Sequence, residues 1–217
     1  MKTLKKQGGF TLVEIAIVLV IVGLLLAGVL KGQELIESSR TKSMAKDLNS
    51  MTAVVASYQD RYRGVPGDDL TAAAIASRGW AAGPALVAVA ASNNLIGAAG
   101  VNPFAAAAGT ENTQAIRALR FAGFIEGNAA DVTLPSSAAG GLVGLTNTVF
   151  GFGARNVVCL NNLNGKQAGA LDRLLDDGVS NTGDIRAVIA AAPPAAAPGA
   201  ATNYVEATPG FVLCKPL

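Results

Sequence analysis

The stretch GGFTLVEIAIVLVIVGLLLAGVLKG, residues 8–32, decides the architecture of this chain. Residues 10–30 form a run of 21 residues, about the 20 that a helix needs to cross the hydrocarbon core of a membrane. Glu14 is the single acid within that run. A carboxylate at the middle of a membrane helix costs about 2.5–3.5 kcal/mol and generally has a partner, whereas the cost is smaller near the end of the span. Position alone allows either a partnered acid or an interfacial acid favoured by the helix dipole.

The composition separates this segment from the rest of the chain. The 217 residues are 51% hydrophobic and only 15% charged, and the surplus lies in alanine, glycine and the apolar run. This length suits one globular unit of about 150–200 residues with an appended segment. Removing Lys2, Lys5 and Lys6 from the 17 basic residues leaves 14 against 15 acids, a net charge of −1. We therefore predict no nucleic acid partner, because no basic excess attracts phosphates.

The order of charge and hydrophobicity predicts a retained membrane span. Three lysines followed by an apolar run are the layout of a secretory signal or a signal anchor. No small-x-small cleavage pattern closes the run, so we expect the span to remain in the protein. The positive-inside tendency places the N-terminus in the cytoplasm and everything after Lys31 outside.

The motif GGFTLVE, residues 8–14, resembles the processing site of type IV prepilins and pseudopilins. A short basic leader ends at Gly9, and Phe10 and Glu14 stand at the required spacing before the apolar run. The resemblance implies that a prepilin peptidase cuts between Gly9 and Phe10 on the cytoplasmic side of the membrane and N-methylates Phe10. It also implies a role for Glu14 in assembly. Its carboxylate would pair with the ammonium group that cleavage creates at Phe10 of a neighbouring subunit, and this pair would fix the axial offset between the two subunits.

One position departs from the family pattern. The family often has a proline at the position of Lys31, where the helix bends or melts on assembly. Here Gly23, Gly28 and Gly32 offer local softening by another route, since glycine weakens a helix interior by about 1 kcal/mol relative to alanine. Gly28 and Gly32 also form a G-x-x-x-G pattern, which favours close helix packing.

We predict an α+β fold in which a long N-terminal helix, membrane-spanning in its first half, packs on a C-terminal globular head with a small antiparallel β-sheet. The expected divisions are a leader over residues 1–9, a transmembrane or filament-core helix over 10–30, an amphipathic continuation over 31–62 and an extracytoplasmic head over 63–217. One buried stripe at spacings of 4, 3, 4, 3 and 4 supports the continuation: Met44, Leu48, Met51, Val55, Tyr58 and Tyr62. The motif RGVPGDD, residues 63–69, ends the helix, because proline and glycine break it.

Shorter elements are predicted inside the head. Helical spacing favours one helix over residues 111–127, terminated by Gly127, and another within 164–178. Two strands fall within 142–160 and a last one over 211–214. Residues 190–201 contain three prolines and favour an exposed loop.

The two cysteines predict a disulfide. Cys159 and Cys214 lie in the part expected outside the cytoplasm, where disulfides persist. The bond would enclose 54 residues and stabilise the fold by roughly 4 kcal/mol in the chain-entropy model. In type IV pilins such a bond delimits a variable surface region, and the resemblance implies that role for residues 159–214.

No catalytic, cofactor-binding or metal-binding residues are predicted. The chain has no histidine, and its cysteines are expected to be bonded, so the usual general bases and thiol nucleophiles are missing. Four acids near each other suggest a calcium site of the kind some pseudopilins have, but their spacing is not that of an EF-hand loop. We favour turn and helix-end roles for these residues, Asp172, Asp176, Asp177 and Asp184.

The sequence therefore favours a structural subunit of a type IV pilus or pilus-like filament, not an enzyme. The expected partners are a prepilin peptidase, other pilin subunits in a homo- or hetero-filament, and the inner membrane before assembly. The protein would cross the inner membrane once, with its head outside, and later join an extracellular or periplasmic filament. The alternatives are a type II secretion pseudopilin, a signal-anchored extracytoplasmic enzyme or binding domain, and a DNA-capturing competence pilin.

Overall fold

The computed structural model describes residues 11–80, 86–88, 92–98, 101–105, 107, 109–194 and 204–217. The helices and strands in this part of the chain are, in order, α1 (Leu12–Tyr62), α2 (Ala72–Ser77), α3 (Glu111–Phe121), β1 (Val143–Asn147), β2 (Asn156–Leu163), α4 (Gly165–Leu175), β3 (Arg186–Ile189) and β4 (Phe211–Pro216). A long N-terminal helix precedes a globular part with a four-stranded antiparallel sheet. The α+β class predicted from the sequence is confirmed.

The chain divides into two compact units, Met1–Ser39 and Arg40–Leu217. In the first unit, the described residues up to Lys31 are all exposed. In the second unit, α1 buries one face, beginning at Thr41. The stripe predicted from the spacing supplies most of that face: Met44, Leu48, Met51, Val55 and Tyr58 are buried, and Tyr62 is half-buried against the same core.

The sheet has the strand order β1-β2-β4-β3, and every neighbouring pair is antiparallel. Alternate residues of β2 and β4 enter two different apolar clusters, because side chains on a strand alternate between its faces. The main core unites α1 with one set of strand side chains, among them Val158, Leu160 and Leu213. Val157, Cys159, Val212 and Cys214 belong to the second cluster, with Val149 and Phe150.

The disulfide between Cys159 and Cys214 is present, and it joins β2 to β4. The two residues are direct partners in the ladder, with their Cα atoms 4.1 Å apart. Both are fully buried. The bond therefore lies inside the second apolar cluster and encloses α4 and β3.

Helix α3 ends at Phe121, so the prediction that Gly127 terminates it is wrong. Gly123 adopts a left-handed conformation, with φ of 75°. Its N–H donates to the carbonyl of Arg120 at 3.0 Å, and the N–H of Phe124 donates to the carbonyl of Leu119 at 2.9 Å. These two bonds form a Schellman motif, which satisfies the last carbonyls of the helix. The earlier glycine ends α3 because its termination geometry is already complete there.

The other predicted elements of the head are found with small shifts at their ends. β1 and β2 occupy the region predicted to hold two strands, with β2 extending to Leu163, and β4 extends the predicted last strand to Pro216. Helix α4 begins with a capping box, in which Asn164 and Gln167 exchange hydrogen bonds with each other's backbone. Residues 190–194 of the predicted loop form neither helix nor strand, and residues 195–201 lie outside the described part.

The RGVPGDD motif joins the end of α1 to the rest of the head. Gly67 has φ of 90°, and a Cβ there would clash with the backbone of Glu111 and Ala115 in α3. Only glycine permits this approach without strain. Asp69 accepts hydrogen bonds from Tyr58 at 3.0 Å and from Arg78 at 2.6 Å, in a nearly buried ion pair.

Candidate functional site: the start of the first helix

Thr11 and Glu14 close a capping box at the start of α1. The Thr11 N–H and the Thr11 hydroxyl both donate to Glu14 Oε2 at 2.8 Å. The Glu14 N–H donates in return to Thr11 Oγ1 at 3.2 Å. Threonine followed three residues later by glutamate is the sequence signature of this device, which satisfies backbone N–H groups that have no partner within the helix. The sequence interpretation assigned a role to Glu14 and missed Thr11, although the T-x-x-E spacing was visible.

The two oxygens of the Glu14 carboxylate have different surroundings. Oε2 receives both hydrogen bonds from Thr11. Within the described chain, which begins at Thr11, no hydrogen bond is made to Oε1. Glu14 itself is exposed. One oxygen therefore fixes the local backbone while the other keeps the capacity to accept a hydrogen bond from a positively charged group.

An apolar surface follows the capping box. Side chains on every side of α1 between Leu12 and Leu30 are exposed, from 44% for Val22 to 91% for Leu12 among the large hydrophobic residues. A soluble domain does not leave so large a continuous apolar surface uncovered, since that exposure is unfavourable in water. By length and composition, α1 contains a segment that could cross a membrane. Lipid or other apolar helices would satisfy this surface.

Helix α1 passes through its glycines and Lys31 without a break. A Cβ built on Gly23, Gly28 or Gly32 would meet nothing within 4 Å, so no described side chain occupies the space beside them. Lys31 forms an ion pair with Glu34 at 2.7 Å, and both side chains are about two-thirds exposed. Such exposed pairs contribute little to stability. The glycine positions therefore leave room for close approach by another helix.

The predicted cleavage and methylation residues, Gly9 and Phe10, lie outside the described residues. Thr11 and Glu14 follow them in the chain and form the capping box. The pairing of Glu14 with an ammonium group of another subunit needs a second chain. Cleavage after Gly9, methylation of Phe10 and the pairing of Glu14 therefore stay predictions.

Three of the four aspartates suggested for calcium lie together. Carboxylate oxygens of Asp172, Asp176 and Asp177 fall within 4.8 Å of one another, and Asp184 is not part of this group. Each of the three accepts hydrogen bonds from within the chain. Asp172 accepts from the Tyr204 hydroxyl at 2.5 Å and from the Gly178 N–H at 3.2 Å, and Asp176 accepts from the Ile185 N–H at 2.7 Å. Asp177 accepts from the Thr182 hydroxyl at 2.5 Å and from the Val179 N–H at 2.8 Å. Local structure therefore explains their positions.

The environments of these acids differ. Asp172 is fully buried, and burial raises its pKa above the ordinary aspartate value. Asp177 is exposed, and the hydrogen bond from the Thr182 hydroxyl lowers its pKa. Tyr204 donates to Asp172, and its own pKa is raised, mainly by burial. The buried pair belongs to the packing between α4 and the segment that leads to β4.

Comparison with known proteins identifies the N-terminal segment. Residues 4–30 match the family described as the prokaryotic N-terminal methylation motif. The matched range contains the capping box and the whole exposed apolar run. No curated protein and no solved structure matches the chain. The motif is the type IV pilin and pseudopilin signal, and it supports a pilin-like or pseudopilin protein.

The same match bears on role, partners and location. The motif points to a structural subunit, and it implies processing by a prepilin peptidase and assembly with other pilins. Together with the apolar start of α1, it fits a membrane-anchored pilin. The match covers the N-terminal segment alone and does not include the head.

Proposed function

We propose that this chain is a structural subunit of a type IV pilus or a pilus-like filament. In the proposed sequence of events, the protein enters the inner membrane through the apolar start of α1, with its head outside. A prepilin peptidase then cuts between Gly9 and Phe10 and methylates Phe10. The mature subunits assemble through α1 into an extracellular or periplasmic filament that serves adhesion, motility or secretion.

The observation that carries the proposal is an apolar helical segment that is exposed on every side and lies within the residues that match the methylation motif. A permanent membrane anchor needs the apolar surface but does not need the methylation motif. A subunit that leaves the membrane needs both, because its apolar surface must be covered again by other subunits. Among the described residues, no side chain crowds Gly23 or Gly28, which is compatible with that packing.

Glu14 has two roles in this proposal. Its Oε2 caps the helix of its own chain, and its Oε1 accepts a bond from the ammonium group of Phe10 in a neighbouring subunit. Pairing offsets the cost of removing both charges from water, and leaving either one buried alone would cost about 3–5 kcal/mol. The pair would also select one axial offset between subunits, because only that offset brings the two charges together.

A substitution at the cleavage site tests the proposal. We expect Gly9→Val to block processing, so that the full-length chain stays in the membrane and no filament forms. Gly8→Val is the matched control, since it adds the same side chain one residue away from the bond that is cut. Processing and filaments that are normal in Gly9→Val would contradict the proposal.

A type II secretion pseudopilin is the second candidate, because the methylation motif is common to both classes. The departure from proline at Lys31 and the large head favour a specialised subunit over a major pilin. The two candidates differ in where the polymer is found. A pilus subunit is recovered in material sheared from the cell surface, whereas a pseudopilin stays in the cell envelope.

A further inference from the structure

A shallow groove of about 610 Å³ lies between the middle of α1 and the end of α4. All of its residues belong to the second compact unit. Small and apolar side chains form part of its lining: Ala45, Ala53, Leu174 and Leu175. Leu174 is 51% exposed, although most large hydrophobic side chains of the described head are buried. The groove therefore offers apolar surface that no part of the described chain covers.

Two lysines give this groove a positive charge. Lys42 and Lys46 are four residues apart in α1, so their side chains lie on the same side of the helix. Both are exposed, and neither forms an ion pair within the described chain. Lys215 adds a third positive charge at the edge, where its Nζ donates to Asn49 Oδ1 at 2.9 Å. None of the described residues that line the groove is acidic, and we call this surface the basic groove.

A loop of opposite charge joins α4 to β3. Residues 176–184, DDGVSNTGD, contain three acids and no basic residue, and we call them the acidic loop. Asp177 and Asp184 are exposed. Val179 lies between them in the sequence and is 41% exposed. The acidic loop thus presents an apolar side chain together with negative charge, which is the complement of the basic groove.

Hydrogen bonds fix the conformation of the acidic loop. Asp177 accepts from the Thr182 hydroxyl at 2.5 Å and from the Val179 N–H at 2.8 Å, and the Thr182 N–H donates to the Val179 carbonyl at 3.1 Å. The Ala187 N–H of β3 donates to the Ser180 carbonyl at 2.9 Å. Because this backbone is already ordered, docking of the loop on a partner would cost little conformational entropy.

The groove and the loop are different surfaces, so a contact between them in two copies of the chain is heterologous. Each subunit offers its acidic loop to one neighbour and its basic groove to another. Such contacts produce open helical polymers when the rotation between subunits does not close a ring. A filament needs contacts of this kind. A second copy is also the partner that filament assembly holds at high local concentration.

We propose that the basic groove receives the acidic loop of the next subunit in the filament. Val179 would lie against Leu174 and Ala53, and the two exposed acids would face the two lysines. Burial of the apolar side chains favours the contact, whereas exposed ion pairs add little affinity and mainly select the orientation. This inference rests on the proposed filament function, and it names a contact between heads that is separate from the pairing of Glu14.

Engineered cysteines test the contact in purified filaments. Ser50 is exposed and lines the groove, so Ser50→Cys and Val179→Cys place one thiol on each surface. After mild oxidation, the double variant should give a ladder of dimers, trimers and larger species on a non-reducing gel, because each subunit bonds to two neighbours. Ser50→Cys/Val205→Cys is the matched control, since Val205 is an exposed valine outside the acidic loop. It should contain at least tenfold less cross-linked subunit.

The outcomes separate the contact from the filament function. Filaments of the double variant that give only monomers, or dimers and nothing larger, overturn the proposed contact while the filament function stands. An equal ladder in the Val205 control, or cross-links to a different protein, also overturns it. If the wild type forms no polymer on the cell surface or in the cell envelope, the filament function fails and the contact fails with it.

Charge reversal provides a second set of variants that contains no added thiol. Lys42→Glu/Lys46→Glu should lower the amount of subunit in purified filaments at least threefold, and adding Asp184→Lys should raise that amount again at least twofold. Arg61→Glu/Arg63→Glu is the control, because it reverses two exposed charges at the other end of this part of α1. It should assemble like the wild type. A loss that Asp184→Lys does not reduce would overturn the pairing of loop and groove.

Discussion

The Thr11 N–H donates to Glu14 Oε2 at 2.8 Å, and the Glu14 N–H donates back to Thr11 Oγ1 at 3.2 Å. Glu14 therefore stabilises the first turn of its own helix, besides the role in assembly that we propose for it. The two roles need different chemistry. Capping needs only an acceptor oxygen, whereas pairing with an ammonium group needs the negative charge.

Replacement of Glu14 by glutamine separates these roles. Glutamine also completes a capping box, so Glu14→Gln should keep the helix start while losing the charge. We expect filament yield to fall at least tenfold in Glu14→Gln, although the protein inserts in the membrane and is processed. The measurement is the amount of subunit in sheared or polymer fractions relative to the membrane fraction.

Thr11→Ala is the complementary variant. It removes the hydroxyl of the capping box and leaves the charge at Glu14, at a cost of about 0.5–2 kcal/mol to the helix start. Filament yield should fall less than in Glu14→Gln. If Glu14→Gln assembles normally while Thr11→Ala does not, capping is the function of Glu14 and the charge-pair account is wrong.

The pair of Arg78 and Asp69 should contribute strongly to the stability of the head. Their side chains are 14% and 10% exposed, and the Arg78 guanidinium also donates to Tyr58 at 2.9 Å. Arg78→Met leaves Asp69 nearly buried without a counter-charge, so the free energy of unfolding should fall by about 3–5 kcal/mol. Urea unfolding of the full chain in detergent measures it.

An exposed ion pair in the same chain provides the control for Arg78→Met. Arg63 lies 3.7 Å from Asp60, and both side chains are more than four-fifths exposed. Arg63→Met should therefore change the free energy of unfolding by about 1 kcal/mol or less. Equal losses in the two variants would show that burial does not decide the strength of the Arg78 pair.

The buried Asp172 should make stability depend on pH. Its pKa in the folded protein is raised by burial above the ordinary value of 3.8, so folding favours the protonated form. Its contribution to stability is present in full below pH 3.8 and is lost as the pH rises through the raised pKa. Relative to Asp172→Asn, the wild type should therefore lose stability as the pH is raised from 3.8 toward neutral.

Thermal unfolding of both proteins across that pH range measures the Asp172 effect. Asp184→Asn is the control, because Asp184 is exposed and lies outside the group of three acids. It should show no such divergence from the wild type. A constant difference between wild type and Asp172→Asn at every pH would mean that the buried carboxyl does not titrate differently in the folded state.

The disulfide should stabilise the head by constraining its unfolded state. The bond closes a sequence separation of 55 residues inside an apolar cluster. The double variant Cys159→Ala/Cys214→Ala should lower the free energy of unfolding by about 4 kcal/mol. Wild type that is unfolded and refolded with a reductant should match this variant in urea unfolding. A loss below about 1 kcal/mol would contradict the stabilising role.

Features of the fold that depend on residues close together in the sequence can be predicted from local patterns. The stripe from Met44 to Tyr58 was predicted because helical spacing alone sets which residues share a face. The end of α3 was misplaced because two glycines followed its apolar residues, and the Schellman bonds around Gly123 decided between them. The spacing of Thr11 and Glu14 is sufficient to predict a capping box. The sequence interpretation considered only the charge of Glu14 and assigned this residue to assembly.

Contacts between residues far apart in the sequence could not be predicted from such local patterns. The partners of Asp68 lie 24 to 26 residues away in an irregular segment, so no periodicity indicates them. The backbone of Ile96 and Gly97 is held by side chains from α3, β1 and β2 that meet only in the folded head. The strand order β1-β2-β4-β3 places the last strand between two earlier ones, which pairing of consecutive strands would not predict.

Intact mass measured on the protein from membranes and from sheared filaments tests the central claim most directly. A processed subunit lacks residues 1–9, begins at Phe10 and carries one added methyl group. We predict this species in the sheared filaments. A full-length mass confined to the membrane would contradict the account and would favour a permanently anchored head.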